Sequence, residues 1–381
     1  MASPGTAPLQ VTFEPASHSG MAATHALLAA MLRATEKVSD LIFSPGRPPQ
    51  VEVYGQLIAV QAPGLKVLSA DDTRRIASDL LGNNKQAITM LREQGSCDIS
   101  YGLPGRARFR VNVFIQRGSC AVVMRVIPTT IPDFASLNLP AQLGDVTSLR
   151  DGVVLVTGAR GSGKSSTLAA LLDRVNRERT CHIITIEDPI EFLHNHQRAT
   201  IHQRELYSDT PSFALALRAA LRQSPKVILI SELRDRETVE MVLEAAETGH
   251  LVFSSLNTID AAKTIERIVN TFSASEQPGI YRRLGKTFRY IICQRLIPKA
   301  NNNGRAAVVE ILKVDPNILH SLERDDQSGQ VLLEAMKTGS AQGMQHFDGE
   351  LEKLVRAGVI DAPTALAYAT DAGELEAALG A

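Results

Sequence analysis

The stretch "GARGSGKSST", residues 158–167, decides the fold of the second half of the chain. Its spacing, G-x-x-x-x-G-K-S, is that of a phosphate-binding loop. Four apolar residues, Val153–Val156, lead into the loop, and the helix-compatible run "LAALLDRV" follows it. A strand before and a helix after are the context that this motif requires. The pattern therefore predicts a nucleotide-binding site.

Each position of the loop has a physical role in this prediction. The glycines let the backbone turn its N–H groups toward phosphates, and the following helix adds its positive N-terminal end. Lys164 supplies a point charge for the β and γ phosphates, and the Ser165 hydroxyl is expected on Mg²⁺. The residues expected to hold the nucleotide are Gly158, Gly161, Ser162, Gly163, Lys164, Ser165 and Ser166.

Two further apolar strands end in acidic residues. The run "ITIEDPIEF", residues 184–192, carries Glu187 and Asp188 before a proline, and Val227–Ile230 leads to Glu232. Ligands of open α/β sheets bind at the carboxyl ends of the strands. We therefore predict that Glu187 holds Mg²⁺ or orients water and that Glu232 polarises the attacking water. On position alone, each could instead be a loop residue, a helix cap or a surface carboxylate.

A fourth strand lies between His250 and Asn257, in "GHLVFSSLN". A lone histidine at the start of a strand is most often structural. Because this strand belongs to the same predicted sheet, we predict that His250 takes part in sensing the γ-phosphate.

Composition narrows the class of protein. The chain has 381 residues and a formal net charge of −1, with 44% hydrophobic and 21% charged residues. This balance is typical of a soluble globular protein and gives no reason to expect nucleic acid as a partner. No apolar run approaches the ~20 residues of a transmembrane helix, and the first residues do not read as a signal peptide. The four cysteines form no C-x-x-C pair, which indicates a reducing cytoplasm: Cys97, Cys120, Cys181 and Cys293.

The pattern along the chain predicts two domains. Residues 1–20 are rich in Ala, Ser, Pro and Thr and predict a flexible tail. Residues 21–128 predict a small α+β domain. Residues 129–140 follow Pro128, contain two more prolines and predict a linker. From 141 to 381, apolar strands alternate with long helices and then give way to helices alone, which predicts a parallel α/β domain with a helical end.

Two hairpins are predicted within the α+β domain. Alternating apolar residues flank Tyr54-Gly55, and a similar pair of runs flanks Arg117-Gly118. Both dipeptides are expected to form the turns.

In this order the motifs resemble a known family. After the phosphate loop come "IEDPIEF", "IHQREL", "ALRAALRQSPKVILISELRD" and "AAETGHLVFSSLNTIDAAKTIERI". Together they resemble the type II/IV secretion ATPases and, within that group, the retraction ATPases of type IV pili, the PilT/PilU type. The match covers about residues 25–370.

This resemblance implies a fold and an activity that spacing alone does not give. The fold would be a PAS-like α+β N-terminal domain followed by a RecA-like ATPase domain with C-terminal helices. The protein would be a homo-hexamer that uses ATP and Mg²⁺. It would lie in the cytoplasm at the inner face of the inner membrane, dock on a platform protein of the pilus, and drive pilus retraction and twitching motility.

The resemblance also assigns roles to residues. Glu187 would lie in the family's Asp box, Glu232 would be the catalytic glutamate, and His250 the first histidine of the His box. Arginines of the N-terminal domain would reach the nucleotide of the same or a neighbouring subunit, and Arg110 and Arg125 lie in the matching stretch. The alternative for these two arginines is a solvated strand face.

The chain departs from the family pattern at several positions. Asn257 stands where the family has its second His-box histidine, Ser231 where it has glycine, and Ser224-Pro225-Lys226 where it has Asp-Pro-Asp. A helical segment tied to retraction is not recognisable, although "NILHSLERDD" lies nearby. These changes favour an accessory retraction ATPase that works beside a second pilus ATPase.

Two alternatives from other classes stay open. One is an ATP-binding subunit with weak or no hydrolysis that modulates a partner motor. The other is a DNA translocase of RecA type, but that reading predicts a basic stripe, which the near-neutral charge does not support. A pilus assembly ATPase is less consistent with the chain, which lacks the longer N-terminal region and the tetracysteine metal site of that group.

Overall fold

The chain forms two compact units, Met1–Thr129 and Thr130–Ala381. They are called the first and the second unit. The computed structural model describes residues 8–11, 20–35, 38–61, 66–128, 130–301, 304–314, 318 and 329–380.

Within the described residues, the first unit contains one mixed sheet and three helices. Its strands are β1 (Leu9–Gln10), β2 (Val38–Phe43), β3 (Gln50–Val53), β4 (Gln56–Gln61), β5 (Ser96–Leu103), β6 (Ala107–Gln116) and β7 (Ser119–Ile127). Its helices are α1 (Met21–Arg33), α2 (Ala70–Leu81) and α3 (Lys85–Gln94). The sheet order is β1-β4-β3-β2-β7-β6-β5, and all pairs except β1–β4 are antiparallel. This is the α+β architecture that the sequence predicts for this part of the chain.

Both predicted hairpin turns are confirmed. Tyr54 and Gly55 have φ of 51° and 80°, and Arg117 and Gly118 have φ of 48° and 75°. Two consecutive residues with positive φ match the twist of the flanking strands, as in a type I′ turn. Each turn thereby fixes the register of its hairpin, including β6 against β7.

The second unit contains a sheet of seven strands covered by helices. Its strands are β8 (Gly152–Thr157), β9 (His182–Glu187), β10 (Thr200–Glu205), β11 (Val227–Ile230), β12 (Leu251–Leu256), β13 (Phe288–Pro298) and β14 (Arg305–Lys313). The larger helices are α4 (Lys164–Glu178), α5 (Phe213–Ala220), α6 (Arg236–Glu247), α7 (Ala261–Val269) and α8 (Gln277–Thr287). Four helices follow between residues 329 and 380 of the described part: α9 (Gly329–Thr338), α10 (Phe347–Arg356), α11 (Ala362–Tyr368) and α12 (Ala372–Gly380). Two 3₁₀ segments span Ala141–Ser148 and Gly339–Gln342.

The strand order of the second sheet is β10-β9-β11-β12-β8-β13-β14. All neighbours are parallel except β13 and β14, which form an antiparallel pair at one end. All six residues of β8 are buried, as are the six of β12, because helices cover both faces. Near-continuous apolar runs such as "VVLV" are what a parallel sheet of this kind requires. Strand β12 lies between β8, which carries the phosphate loop, and β11.

Parallel strands give this sheet two distinct edges. At one, which we call the carboxyl edge, the phosphate loop follows β8, Glu187 ends β9, and Asn257 follows β12. At the other, the amino edge, Lys226 precedes β11 and His250 precedes β12.

Two segments differ from the predicted layout. Residues 130–140 belong to the second unit, where Leu139 is 8% exposed and packs on the core beside the partly buried Phe134 and Leu137. Within the predicted tail, Leu9 and Gln10 pair in parallel with β4. The segment "NILHSLERDD" lies outside the described residues except for Ile318.

Candidate nucleotide site

The phosphate loop has the backbone that its glycines permit. Gly158, Gly161 and Gly163 have φ of 147°, 77° and 92°, in the region that L-residues avoid. Two of them also leave no room for a side chain. A Cβ at Gly158 would lie 2.4 Å from the carbonyl oxygen of Gln294, and one at Gly163 would lie 2.7 Å from Gln294 Nε2. The glycines are therefore required by conformation and by close approach.

Lys164 begins α4 and folds back over the loop. Its ammonium group donates to the carbonyl oxygens of Gly158, at 2.8 Å, and Ala159, at 2.9 Å. Burial lowers the pKa of Lys164, and the nearby carboxylates of Glu232 and Glu191 oppose that shift. The lysine thus lies where the loop, the N-terminus of α4 and the end of β11 meet.

The hydroxyl residues of the loop divide into two groups. Ser165 and Ser166 are partly exposed in the first turn of α4, as a role toward phosphate or metal requires. Ser162 is 5% exposed, and its Oγ has no hydrogen-bond partner among the described residues. Thr167 is fully buried and donates to Gln294 Oε1 at 2.7 Å. Gln294 supports the loop from β13 and was not found by sequence reasoning.

Glu187 is the last residue of β9 and is held by neighbouring side chains. Its Oε1 accepts hydrogen bonds from the hydroxyl of Thr185, at 2.6 Å, and from the amide of Gln203, at 3.0 Å. Gln203 also accepts from the backbone N–H of His194, so its amide orientation is set from both ends. Burial raises the pKa of Glu187 to about 7, against the lowering effect of the two hydrogen bonds. Gln203 is a second supporting residue that sequence reasoning missed.

Glu232 follows β11 and is bound through both carboxylate oxygens. Oε2 accepts from Arg234 Nε at 3.1 Å, and Oε1 accepts from Asn257 Nδ2 at 2.5 Å. Arg234 also donates to Asp188 Oδ2 at 2.6 Å, and Ser231 Oγ accepts from the Asp188 N–H at 3.2 Å. These contacts join the ends of β9, β11 and β12. The structure therefore brings Glu187, Glu232 and the phosphate loop together at the carboxyl edge, with Asn257 between strand ends.

His250 and Lys226 are not part of this arrangement. The ring of His250 makes hydrogen bonds with the carbonyl of Ala245, at 2.9 Å, and the hydroxyl of Thr248, at 3.2 Å, where α6 ends. The six residues of β12 separate His250 from the carboxyl edge by roughly 20 Å at about 3.3 Å per residue. The predicted role of His250 at the γ-phosphate has no geometric support within one chain. The departure at Lys226 likewise falls at the amino edge.

Arg110 and Arg125 lie opposite each other in the first unit, on β6 and β7. Both are exposed, and Arg125 Nε donates to Asp40 Oδ1 at 3.1 Å. Asp40 is 5% exposed, and its carboxylate compensates the positive charge of Arg125. This contact reduces the repulsion between the two arginines that face each other across β6 and β7.

The donor set at the carboxyl edge fits Mg²⁺. Ser165 offers a hydroxyl oxygen and Glu187 a carboxylate, the hard ligands that this ion prefers. Among the residues that the structure describes, no group of three or more His, Cys, Asp and Glu side chains forms a metal cage. Mg²⁺ bound with few protein ligands and completed by nucleotide phosphates is the arrangement common to such sites.

The sheet order, the phosphate loop on β8 and the carboxylates on β9 and β11 define a phosphate-loop ATPase. Residues 95–346 match the model of the family described as type II/IV secretion system protein, and the chain belongs to that family. The family resemblance and the two-part α/β fold predicted from the sequence are thus confirmed.

Individual relatives refine this assignment. The chain is 41% identical over 327 residues to the type IV pilus retraction ATPase PilT of Pseudomonas aeruginosa, covering 86% of this chain and 93% of that protein. It is 38% identical over 337 residues to the type IV pilus ATPase PilU of the same organism, covering 88% and 86%. A crystal structure of the pilus retraction motor PilT with bound ADP superposes with a TM-score of 0.83, at 37% identity, covering 93% of this chain and 98% of the other.

Proposed function

We propose that this protein is a cytoplasmic, hexameric ATPase that powers retraction of type IV pili and hence twitching motility. The observation that carries the proposal is the meeting of Lys164 and Glu232 at the carboxyl edge of one sheet, because phosphate binding and water activation both need a group there. The likeness to the PilT retraction ATPase and to the ADP-bound retraction motor supports retraction as the proposed direction of work.

Each site residue has a separate role in the proposed hydrolysis of ATP. Lys164 compensates charge on the β and γ phosphates, and the loop N–H groups orient them. Ser165 and Glu187 hold Mg²⁺, which neutralises developing charge on the phosphate oxygens. Glu232 accepts a hydrogen bond from the attacking water and polarises it.

Arginines of the first unit complete the proposed site. An arginine near the γ-phosphate stabilises the charge of the transition state and can couple hydrolysis to subunit movement. Arg110 and Arg125, from the same subunit or a neighbour in the ring, are the proposed residues. Arg110 is the better candidate, because Arg125 is already paired with Asp40.

Partners and location follow from the proposed activity. None of the helices in the described ranges is long and apolar enough to cross a membrane. We propose a peripheral position at the inner face of the inner membrane, on the pilus platform protein. A second pilus ATPase is a further proposed partner.

A second candidate function is an ATP-binding subunit with weak hydrolysis that modulates a partner motor. Asn257 favours it, because an amide at this position can donate to Glu232 but cannot accept or release a proton. The likeness to PilU is compatible with either candidate.

Steady-state ATP hydrolysis by the purified full chain tests the proposal, with the oligomeric mass measured on the same sample. Clear turnover by a hexamer is expected, and Glu232→Gln should bind ATP yet turn over about 100-fold more slowly. Nucleotide binding without turnover would favour the second candidate, and a monomer under all nucleotide conditions would contradict the proposed ring. The direction of work is tested by deleting the gene and scoring twitching and surface piliation. Loss of twitching with abundant pili is expected, and loss of pili would contradict retraction.

A further inference from the structure

One buried residue outside the nucleotide motifs contacts both ends of the phosphate loop. Gln294, on β13, is 3% exposed. It lies beside β8, where the neighbouring Cys293 pairs with Thr157, the last residue before the loop. No motif of the chain singles it out, and it lies 127 residues from its partner Thr167.

Gln294 makes one strong side-chain contact with the helix that follows the loop. Its Oε1 accepts the hydrogen bond of the Thr167 hydroxyl at 2.7 Å, and both residues are buried. Thr167 lies one turn into α4, next to Ser165 and Ser166, which are expected to face the phosphates. A buried hydrogen bond of this kind is costly to break because the remaining group loses water without gaining a partner.

Gln294 also fills the space beside two glycines of the loop. Its backbone carbonyl oxygen lies where a side chain at Gly158 would be, at 2.4 Å from an ideal Cβ. Its Nε2 does the same at Gly163, at 2.7 Å. One residue of a neighbouring strand therefore supports the loop at its first glycine, at its last glycine and in the first turn of α4.

We infer that Gln294 is a positioning residue for nucleotide binding, resting on the proposed binding of ATP and ADP at this loop. By accepting from Thr167 it fixes α4 against β13, and by filling the space under both glycines it holds the loop N–H groups in the orientation that phosphates require. A neutral amide suits this position because a carboxylate here would oppose the phosphates.

Binding of a fluorescent ADP analogue to the full chain tests this inference, with Tm recorded with and without ADP. Gln294→Leu removes the acceptor and should weaken binding about tenfold. Gln294→Glu keeps an acceptor but adds negative charge under the phosphates, and should weaken binding further still. The ADP-induced rise in Tm should shrink in both variants, since it follows occupancy.

Two further variants separate positioning from general loss of stability. Asn176 is a buried amide near the C-terminal end of α4, away from the loop at the start of that helix. Its side chain donates to the carbonyl oxygen of Asn195 at 2.7 Å and accepts from the backbone N–H of Gln197 at 3.2 Å. Asn176→Leu should lower Tm while leaving ADP affinity unchanged. Thr167→Val combined with Gln294→Leu should bind ADP no more weakly than Gln294→Leu alone, because both polar partners are then removed together.

The outcomes distinguish the inference from the proposed function. If wild type does not bind ADP, the proposed function fails and the inference with it. If wild type binds ADP and Gln294→Glu binds it equally well, the inference alone is overturned. Equal losses of affinity in Asn176→Leu and Gln294→Leu would also overturn it, because stability rather than loop position would then control binding.

Discussion

The two ends of β12 each carry a polar residue, Asn257 at the carboxyl edge and His250 at the amino edge, and the two residues make different kinds of contact. At the carboxyl edge, Glu232 is bound by Arg234 and Asn257, and the contacts join three strand ends. At the amino edge, the ring of His250 bonds a backbone carbonyl and a hydroxyl at the end of α6. Asn257 therefore belongs to a site shared by several strand ends, whereas His250 makes local contacts with the helix end before it. The difference follows from strand direction, because α/β ligands bind at the carboxyl ends.

The departures from the family pattern fall into two groups, one at each edge of the sheet. Asn257 and Ser231 lie at the carboxyl edge and contact Glu232 or Asp188 directly. Ser224-Pro225-Lys226 precedes β11 at the amino edge. Only the first group is placed to alter turnover, and the second is expected to affect hydrolysis little.

The largest effect is expected at the phosphate loop. Lys164→Ala removes the positive charge that faces the β and γ phosphates, and ADP affinity should fall about 100-fold, as for a lost charge-assisted hydrogen bond to an anion. Titration of a fluorescent ADP analogue measures this. Unchanged affinity in this variant would remove the carboxyl edge as the nucleotide site.

A smaller effect is expected at Asn257. Asn257→Ala frees one oxygen of Glu232 and leaves its rotamer less defined, so kcat should fall about tenfold with KM for ATP nearly unchanged. Asn257→His restores a donor of the family type and should recover most of the rate. Steady-state kinetics with varied ATP measure both parameters.

The Asn257 prediction has a matched control at the opposite end of β12, in Thr248→Ala at the end of α6. That variant should keep the wild-type kcat. A fall in KM and kcat together, or equal kcat in wild type and Asn257→Ala, would contradict a positioning role for the amide.

Local patterns in the sequence account for much of this site. The loop glycines, Lys164 and Glu232 each follow a short apolar strand, so a window of a few residues identifies them. Gln294 and Asn257 act through partners 127 and 25 residues away. Those contacts depend on strand order, in which β12 lies between β11 and β8 and β13 lies beyond β8. A short stretch of sequence does not indicate this strand order.

The placement of His250 shows a second limit of local reasoning. Membership in the right strand is predictable from the sequence, and β12 does belong to the predicted sheet. Which end of the strand faces the ligand matters equally. His250 and Asn257 border the same strand, yet only Asn257 reaches the carboxylate.

A further carboxylate near the carboxyl edge is buried and is expected to affect stability. Glu310 is 4% exposed and accepts a hydrogen bond from the N–H of Ala261 at 2.9 Å. Burial and, to a smaller extent, the charge of Asp260 raise the pKa of Glu310 to about 7, although the hydrogen bonds from Ala261 and Cys293 and the charge of Arg295 lower it. This group differs from Glu187 and Glu232 in having no predicted part in hydrolysis.

The sign of the Glu310 effect on stability follows from linkage. The folded-state pKa lies above the unfolded value near 4.5, so the folded state binds more protons between the two. Wild-type stability should therefore fall as pH rises from about 4.5 to about 7, by at most about 3 kcal/mol. Glu310→Gln keeps the acceptor for Ala261 and should raise Tm relative to wild type at about pH 8 more than at about pH 5. An identical difference at both pH values would contradict burial of an ionised carboxylate.

The smallest effects are expected at the amino edge. Lys226→Asp changes an exposed charge at the start of β11 and should shift stability by no more than about 0.5 kcal/mol, with kcat unchanged. His250→Ala removes the ring's hydrogen bond with Ala245, which costs about 1 kcal/mol, and kcat should stay within about twofold of wild type. Parallel measurement of Tm and kcat in both variants checks this. A large fall in kcat for His250→Ala at nearly unchanged Tm would break the contrast between the edges. It would then follow that the amino edge of one subunit acts on the nucleotide of another, because β12 separates His250 from the site of its own chain.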